Sequence, residues 1–335
     1  MSGAEVTIDE FLKELTYNGY ECLSLNSIEN YLMYYNYYDE ILKDDTNYIR
    51  DEYKKVLFTN KDNFFEKIGN IINRYKPDLI ISQLNGLKEI IQLTENMKIP
   101  IVYIFHSYFQ QINGITSNYD LGLLENSRVK IICISNYIKN SLPNKLKDKS
   151  FVVYPIIKKD KYLNNKYNPS SILFVNPRKI KGIEIIFCLA RKLSNETFKV
   201  YEIWGNTPRK YLDIMKDFTN IYIMKKTNDI KQLYKDTKLL LVPSQCPEGF
   251  GRVIVEANIN SIPAVCSNVG GINEATGPNQ ILIDDYTNAD VWYQSVREIL
   301  SNKEKYERMC VQANYNSIKF NDSNLVSTIK TFLQT

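Results

Sequence analysis

Residues 239–271 read LLLVPSQCPEGFGRVIVEANINSIPAVCSNVGG, an apolar run followed by two glycine-rich turns. The run Leu239–Val242 predicts a buried strand, and the loop after it contains Glu248 and the glycines of Gly249–Gly251. A helix is predicted to begin directly after these glycines, with Glu256 in its second turn. A strand that leads through a glycine loop into a helix N-terminus is typical of an α/β domain with an anion-binding site.

The two glutamates of this block suggest a ligand with hydroxyl groups. Seven residues separate Glu248 from Glu256, and carboxylates accept hydrogen bonds from paired hydroxyls. The two could therefore contact opposite ends of one elongated ligand, while helix N–H groups and glycine backbone face a phosphate or sugar. A second pair, Gly270-Gly271, ends the next strand before Glu274. The alternative is ordinary strand–loop–helix connections, in which the glycines only permit tight turns.

Short apolar runs alternate with amphipathic stretches along the whole chain, which favours β-α-β units and parallel sheets. We therefore predict an α/β fold with two Rossmann-like domains and a cleft between them. Predicted strands of the first half span residues 21–25, 55–58, 78–82, 99–105 and 130–135, and the segment 151–157 closes this half. Those of the second half span residues 172–175, 199–204, 221–224, 239–242, 264–267 and 281–283.

The 335 residues are enough for two domains of ordinary size. Residues 158–170 are polar, rich in lysine and without periodicity, so they are predicted to be the linker. This places an N-terminal domain at residues 1–157 and a C-terminal domain at residues 171–319. The terminal helix, within residues 320–335, is predicted to return to the N-terminal domain.

The composition fits a globular protein rather than a membrane-spanning or disulfide-rich one. Apolar residues make up 44% and charged residues 24%, and no run approaches the roughly 20 apolar residues of a membrane span. The six cysteines contain no C-x-x-C pair, which favours free thiols in a reducing compartment. The start, MSGAEVTIDEF, lacks the pattern of a signal peptide, so a cytoplasmic location is predicted.

Charge is spread unevenly between the two halves. Residues 1–157 hold 17 Lys+Arg against 20 Asp+Glu, a net −3, whereas residues 158–335 hold 25 against 18, a net +7. A basic second half suits an anionic ligand there, and it equally fits solvated lysines on helix surfaces.

The start of the chain departs from the usual order of a Rossmann-like domain. A helix is predicted at Thr7–Asn18 after a turn at Ser2–Glu5, whereas such a domain normally opens with a strand before that turn. We expect the strands at 21–25 and 78–82 either to close up on each other or to leave a gap. A gap would accept a strand from a partner chain, or indicate a segment missing at the start.

The block EGFGRVIVEA followed by IPAVCSNVGGINE resembles the E-x7-E block of the retaining glycosyltransferases of family 4 (glycosyl transferases group 1), which have the GT-B fold. Other segments resemble the same family, and they occur in the family's order along the chain. They are Gly3-Ala4-Glu5, Phe105-His106, Ile134-Ser135-Asn136 and the segment ILFVNPRKIKG at 172–182. The resemblance spans nearly the whole chain.

The resemblance implies a role for each matching residue. Glu256 would accept hydrogen bonds from the ribose hydroxyls of a nucleotide, and Glu248 would hold sugar hydroxyls of the donor. Arg178 and Lys181 would contact the diphosphate, although the run RKIK also fits a solvated basic loop. The remaining donor contacts that the resemblance implies are Gly3, Gly249, Phe250 and Gly251.

His106 is the only histidine of the chain. It follows the apolar run IPIVYIF, at the strand end where open α/β sheets bind ligands, and it fits either a structural or a functional histidine. The resemblance places it in the cleft, in contact with donor sugar or acceptor. It also implies that His106, Glu248, Arg178 and Lys181 are the catalytic residues. A single histidine excludes a zinc cluster built on several histidines.

No two aspartates stand two positions apart, so the Asp-x-Asp motif that holds Mg²⁺ or Mn²⁺ in other glycosyltransferases is missing. Arg178, Lys181 and a helix dipole can stabilise a leaving group without a metal. We therefore predict no metal and no cofactor, with a nucleoside-diphosphate sugar as co-substrate and UDP as the default base.

These observations predict a retaining glycosyltransferase of glycan biosynthesis that moves a sugar to a hydroxyl of a glycan, a lipid-linked molecule or a small molecule. Front-face attack is favoured by the resemblance, and double displacement stays open. The alternatives are a non-catalytic subunit that binds a sugar nucleotide and a GT-B sugar-nucleotide epimerase. Nucleic acid is not expected as a partner, and a peripheral membrane contact stays open.

Overall fold

The computed structural model describes residues 3–27, 47–49, 53–58, 64–83, 86–107, 118–165, 168–203, 206–224, 227, 229–278 and 280–334. The chain divides into two compact units. The first comprises Gly3–Pro155 together with the C-terminal residues from Ser323 onward, and the second comprises Ile156–Asp322.

In the first unit, most of the described helices connect short strands. Its strands are β1 (Leu23–Ser27), β2 (Asn47–Ile49), β3 (Lys54–Phe58), β4 (Ile80–Gln83), β5 (Ile101–Phe105), β6 (Val129–Cys133) and β7 (Ser150–Val152). Its helices in the described part of Gly3–Pro155 are α1 (Gly3–Tyr17), α2 (Phe64–Tyr75), α3 (Leu87–Leu93), α4 (Asn118–Glu125), α5 (Asn136–Ser141) and α6 (Asn144–Lys147).

The second unit alternates strands and helices more regularly. Its strands are β8 (Ser171–Val175), β9 (Thr197–Tyr201), β10 (Ile221–Met224), β11 (Thr237–Val242), β12 (Ala264–Ser267) and β13 (Ile281–Ile283). Its helices are α7 (Lys159–Tyr162), α8 (Ile183–Lys192), α9 (Arg209–Met215), α10 (Lys231–Tyr234), α11 (Arg252–Ile259), α12 (Ile272–Thr276), α13 (Ala289–Ser301) and α14 (Lys303–Ile318). The last helix, α15 (Leu325–Gln334), belongs to the first unit.

The second unit is built on one six-stranded sheet whose strands are all parallel, in the order β10-β9-β8-β11-β12-β13. Counted within the unit, this is the order 3-2-1-4-5-6 of a Rossmann-like domain. Helices cover a sheet of this kind on both faces, which is why β12 is buried at every position. The core joins Phe174 and Leu241 of the sheet to Ile186 of α8 and Trp292 of α13.

The described residues of the first unit form two sheets. Strands β4-β5-β6-β7 form a parallel sheet, and β1, β3 and β2 form another, in which β2 is antiparallel to β3. Within the described ranges, no strand pairs with both β1 and β4. Strands β1 and β4 do not pair with each other either, so among these described residues the two strands do not close up on each other. Leu23 of β1 and Ile80 of β4 nevertheless pack on one cluster, which contains Ile68 and Ile72 of α2.

In two places the first unit differs from what the sequence predicted. Residues 3–5 form the first turn of α1 and not a turn before the helix, because Thr7 Oγ1 donates to the Gly3 carbonyl at 2.8 Å. Strand β2 was not predicted, since three residues are too few to show a periodic pattern.

The segment predicted as the linker packs onto the second unit. It contains α7, whose Tyr162 is buried, and the amide of Asn164 donates to Asn260 Oδ1 at 2.8 Å. In the first unit, α15 places Phe332 edge-on against Phe151 with ring centroids 5.1 Å apart. Among the described residues, no helix has both the length and the apolar character that a membrane crossing demands.

Candidate functional site

The strand order of the second unit reverses between the hydrogen-bonded neighbours β8 and β11. In an open parallel sheet, the connections that leave such a pair at their carboxyl ends diverge and leave a crevice for a ligand. Here those connections are residues 176–182 and 243–251. The first contains Arg178 and Lys181 and the second contains Glu248, so the topology brings three predicted site residues to one end of the sheet.

Close backbone packing joins the two connections. Gly182 has φ +82°, and a Cβ atom there would lie 1.9 Å from the carbonyl oxygen of Pro243. The backbone N–H of Gln245 donates to the carbonyl of Ile180 at 2.8 Å, which joins the second connection to the first. Only glycine fits this contact and this backbone angle. Gly182 therefore allows the first connection, which contains Lys181, to pack directly against the second connection.

A second pair of glycines holds the Glu248 backbone. Gly270 forms an isolated parallel bridge with Glu248, and the amide of Gly271 donates to the Glu248 carbonyl at 2.7 Å. A Cβ atom on Gly270 would lie 2.5 Å from the Glu248 backbone, and one on Gly271 would lie 2.3 Å from the Gly249 carbonyl oxygen. The glycines after β12 thus allow the two turns to lie directly against each other.

The Glu248 carboxylate is held by two side chains of these connections. Lys181 Nζ lies 2.9 Å from Glu248 Oε2, and the hydroxyl of Ser244 donates to Oε1. The side chains of Lys181 and Glu248 retain 20% and 17% exposure, so a ligand can reach both. Two residues predicted to contact the same donor are therefore in contact with each other in the structure.

Arg178 directly precedes the 3-10 turn Lys179–Lys181 and is partly buried. Its Nη2 lies within reach of the Asn206 carbonyl, at 3.4 Å. Arg178 and Lys181 thus supply two positive charges from one turn, and Lys181 contacts Glu248, which lies four residues before the start of α11.

The N-terminus of α11 begins at Gly251, which caps the helix with φ +98°. Phe250, just before it, points away from solvent and packs edge-on against Phe320 with ring centroids 5.1 Å apart. The side chain of Phe250 is therefore part of the hydrophobic core. Residues 249–251 can contact a ligand only through their backbone.

Glu256 lies in α11 and is buried. The hydroxyl of Tyr234 donates to its Oε2 at 2.8 Å, and Arg252 Nε lies 3.5 Å from its Oε1. Arg252 is itself buried, and its Nη1 and Nη2 donate to the Ile156 carbonyl at 3.3 Å and to the Tyr162 hydroxyl at 3.1 Å. Glu256 is thus part of a buried polar network rather than an open loop.

The two remaining predicted site residues belong to the first unit. His106 directly follows β5 and is partly buried, at the carboxyl end of a strand whose five residues are all buried. Gly3 is the exposed first residue of α1. The other predicted site residues all belong to the second unit.

Sequence reasoning missed four residues that shape this site. They are Gly182, Tyr234, Ser244 and Arg252. Arg252 stands four positions before Glu256, a spacing that pairs opposite charges on one helix face and could have predicted the contact. No sequence signal connects Tyr234 to Glu256, because the two lie on different helices.

Cys246 is the thiol of the second connection. Burial raises the pKa of its thiol, while Lys181 acts in the opposite direction with a smaller effect. Within the part of the chain that the structure describes, no group of three or more His, Cys, Asp and Glu side chains is placed to hold a metal ion.

Comparison with known proteins places this geometry in a family. Residues 172–316 match the family model described as glycosyl transferases group 1. An uncharacterized glycosyltransferase of Methanocaldococcus jannaschii is 26% identical over 306 residues, which cover 84% of this chain and 82% of that protein.

Solved structures show a likeness in fold over almost the full length. A glycosyltransferase from Rickettsia africae has a TM-score of 0.76 at 17% identity, covering 98% of this chain and 94% of that one. HepE from Anabaena, in complex with UDP and glucose, has a TM-score of 0.74 at 16% identity, covering 100% and 96%. The chain therefore has the GT-B fold, contains a group 1 glycosyltransferase domain at residues 172–316, and is a glycosyltransferase.

Proposed function

We propose that this glycosyltransferase moves a sugar from a nucleoside-diphosphate sugar to a hydroxyl acceptor with retention of anomeric configuration and without a metal. The observation that supports it best is the contact between Lys181 and Glu248 at the point where the strand order reverses. One cation for a phosphate and one carboxylate for hydroxyls are adjacent there, beside a helix N-terminus.

In this proposal the diphosphate of the donor lies on Lys181, Arg178 and the backbone amides at the start of α11. The sugar hydroxyls donate to Glu248, and the ribose hydroxyls donate to Glu256. His106 is proposed to contact the transferred sugar or the acceptor, and Gly3 is proposed as a further donor contact.

Bond breaking between the anomeric carbon and the diphosphate oxygen leaves an oxocarbenium-like sugar and puts negative charge on the leaving group. Lys181, Arg178 and the dipole of α11 stabilise that charge, so no metal is required in this scheme. The acceptor hydroxyl attacks from the face that the diphosphate leaves, and its proton passes to a phosphate oxygen. Attack on that same face retains the configuration.

Identification of the donor base rests on likeness alone. The HepE structure holds UDP and glucose, which supports UDP as the first base to test here. The acceptor is proposed to be a hydroxyl of a glycan, lipid-linked molecule or small molecule, in the cytoplasm.

The experiment that tests this proposal offers the purified protein UDP-, GDP- and ADP-sugars, with and without EDTA. We expect slow hydrolysis of at least one donor in the absence of acceptor, unchanged by EDTA, with the released sugar first appearing in the anomeric form of the donor by NMR. Complete loss of turnover in EDTA that Mn²⁺ restores would refute metal independence. Release of the opposite anomer would refute retention.

Two variants test the roles of the carboxylates. Calorimetry with UDP should show weaker binding for Glu256→Ala, because a ribose contact is lost. Glu248→Ala should lose turnover without weakening UDP binding, because the partner of Glu248 is the sugar. Equal, negligible effects of both variants on binding and turnover would exclude these assignments.

The same experiments separate the rival functions. A non-catalytic subunit would bind a sugar nucleotide without ever releasing nucleoside diphosphate. An epimerase would return an altered free sugar nucleotide without an acceptor.

A further inference from the structure

Two side chains outside the phosphate-binding connections converge on Glu256. Tyr234 ends α10 and donates to Oε2 at 2.8 Å, while Arg252 begins α11 and places its Nε 3.5 Å from Oε1. A carboxylate offers about four acceptor positions over its two oxygens. With one protein donor on each oxygen, Glu256 keeps acceptor positions for a ligand.

Tyr234 and Arg252 both keep the protons that they donate to Glu256. Tyr234 is fully buried, and burial together with the neighbouring Glu256 carboxylate raises the pKa of its hydroxyl well above the ordinary value. The hydroxyl therefore stays protonated. An arginine guanidinium cannot lose its charge in a protein. Both residues therefore face the Glu256 carboxylate as hydrogen-bond donors.

The Arg252 guanidinium is fixed on its far side as well. Nη1 donates to the Ile156 carbonyl at 3.3 Å and Nη2 to the Tyr162 hydroxyl at 3.1 Å, so the plane of the group has three contacts. Asn260 Nδ2 adds a bridge from the Tyr162 carbonyl at 3.1 Å to the Glu256 carbonyl at 3.2 Å. The network locks both the side chain and the local backbone of Glu256.

Stability is a poor explanation for such an arrangement. A buried ion pair gains little over well-packed apolar side chains of the same volume, because both charges lose their hydration. Fixed donors around a carboxylate are instead what a binding group needs, since orientation paid for during folding is not lost when the ligand binds.

We propose that Tyr234 and Arg252 are positioning residues, which hold the Glu256 carboxylate in one orientation, ready to accept the two ribose hydroxyls of the donor nucleotide. This inference rests on the proposed function, which assigns the ribose to Glu256. The two residues contact the carboxylate and not the nucleotide.

The test measures the dissociation constants of UDP and of 2′,3′-dideoxy-UDP by calorimetry. Their ratio reports the ribose hydroxyls alone, and for the unmodified protein we expect about tenfold to a hundredfold tighter binding of UDP. Glu256→Gln should bring the ratio close to one. Tyr234→Phe and Arg252→Met should each lower it by about threefold to tenfold, while binding of the dideoxy ligand stays within about twofold.

A purely structural role predicts a different result. Loosened packing would weaken both ligands alike and leave their ratio unchanged. Arg252→Lys, which keeps the charge, should recover part of the ratio that Arg252→Met loses. Tyr306→Phe is the matched control, because it also removes one tyrosine hydrogen bond, to the Lys238 carbonyl at 2.9 Å, without touching Glu256.

The outcomes distinguish this inference from the function beneath it. A normal ratio in Tyr234→Phe and Arg252→Met, with the ratio lost in Glu256→Gln, would overturn the positioning role and leave the ribose assignment intact. No preference for UDP in the unmodified protein would overturn the ribose assignment itself, and the positioning role with it. If one of the two variants loses its native circular dichroism spectrum, the other decides.

Discussion

Glu248 and Glu256 belong to one short segment, yet the structure holds them in different ways. Glu248 lies in a loop, stays partly exposed and pairs with Lys181, a residue proposed to bind the donor's phosphates. Glu256 lies inside a helix, is buried and is held by Tyr234 and Arg252, which we propose keep their contacts when the donor binds. The loop end of the site is arranged for an exchange of charged partners, and the helix end for a fixed orientation.

The largest effect is expected from Gly182→Ala, which disturbs the backbone packing that positions Lys181 and Glu248. The new methyl group would meet the Pro243 carbonyl at 1.9 Å, and alanine disfavours φ +82°. We expect a loss of about 2–5 kcal/mol in the free energy of unfolding, together with loss of turnover. Thermal and urea unfolding measure the first quantity. The control is Gly122→Ala in α4, where no atom lies within 4 Å of the new group; a similar loss of stability there would contradict the steric argument.

Lys181→Met should come next. Removing a cation aimed at the leaving group is expected to lower kcat by about 100-fold to 1000-fold, while the protein keeps its fold. Steady-state kinetics of donor turnover check this. Lys192→Met removes a lysine that pairs with Asp290 at the surface, so its rate should stay within about twofold. Equal rates for the two variants would show that Lys181 has no part in the reaction.

A smaller effect, of opposite sign, is expected for UDP binding by Glu248→Gln. In the free protein the carboxylate of Glu248 holds Lys181 and repels an incoming phosphate. Neutralising it should tighten UDP binding by about threefold to tenfold while sugar transfer falls. Glu256→Gln should weaken UDP binding instead, so calorimetry on this pair sharpens the contrast between the two ends. Weaker UDP binding in both variants would remove that contrast.

The smallest effect concerns the reactivity of Cys246, which lies beside Lys181 and Glu248. Because burial raises the pKa of this thiol and the thiolate is the nucleophile, alkylation should be slow near pH 7.5 and rise about tenfold per pH unit below the pKa. Bound UDP should slow it at least about twofold. Cys310 of α14, whose pKa is also raised by burial, serves as the control in the same mass-spectrometric experiment. Equal protection of both thiols would argue against a ligand at the loop end.

The sequence was most informative where local pattern and local structure coincide. The apolar run before Pro243 predicted a buried strand, and Gly249–Gly251 after it predicted the start of α11. The same reasoning predicted the strands of the second unit, with ends shifted by up to three residues in the structure. Strand ends are harder to predict, because hydrogen bonds to the neighbouring strand decide where a strand stops.

The first unit shows what local pattern leaves open. Because no strand precedes the first helix, the sequence predicted that a central strand is missing. The described residues of the first unit form two sheets where one was expected. The sequence could not choose between closure and a gap. That choice depends on how α2 packs against Leu23 of β1 and Ile80 of β4 at once, which is a property of three segments far apart in the chain.

Strand pattern, glycine turns and the spacing of Glu248 and Glu256 were thus available from the residues in order, because each depends on neighbours within one turn or one strand. The pairing of Lys181 with Glu248, the burial of Phe250 and the grip of Tyr234 on Glu256 required the folded chain. Each of these joins side chains from different elements. Their energy depends on distance, direction and the exclusion of water, and those quantities exist only after the sheet has brought the elements together.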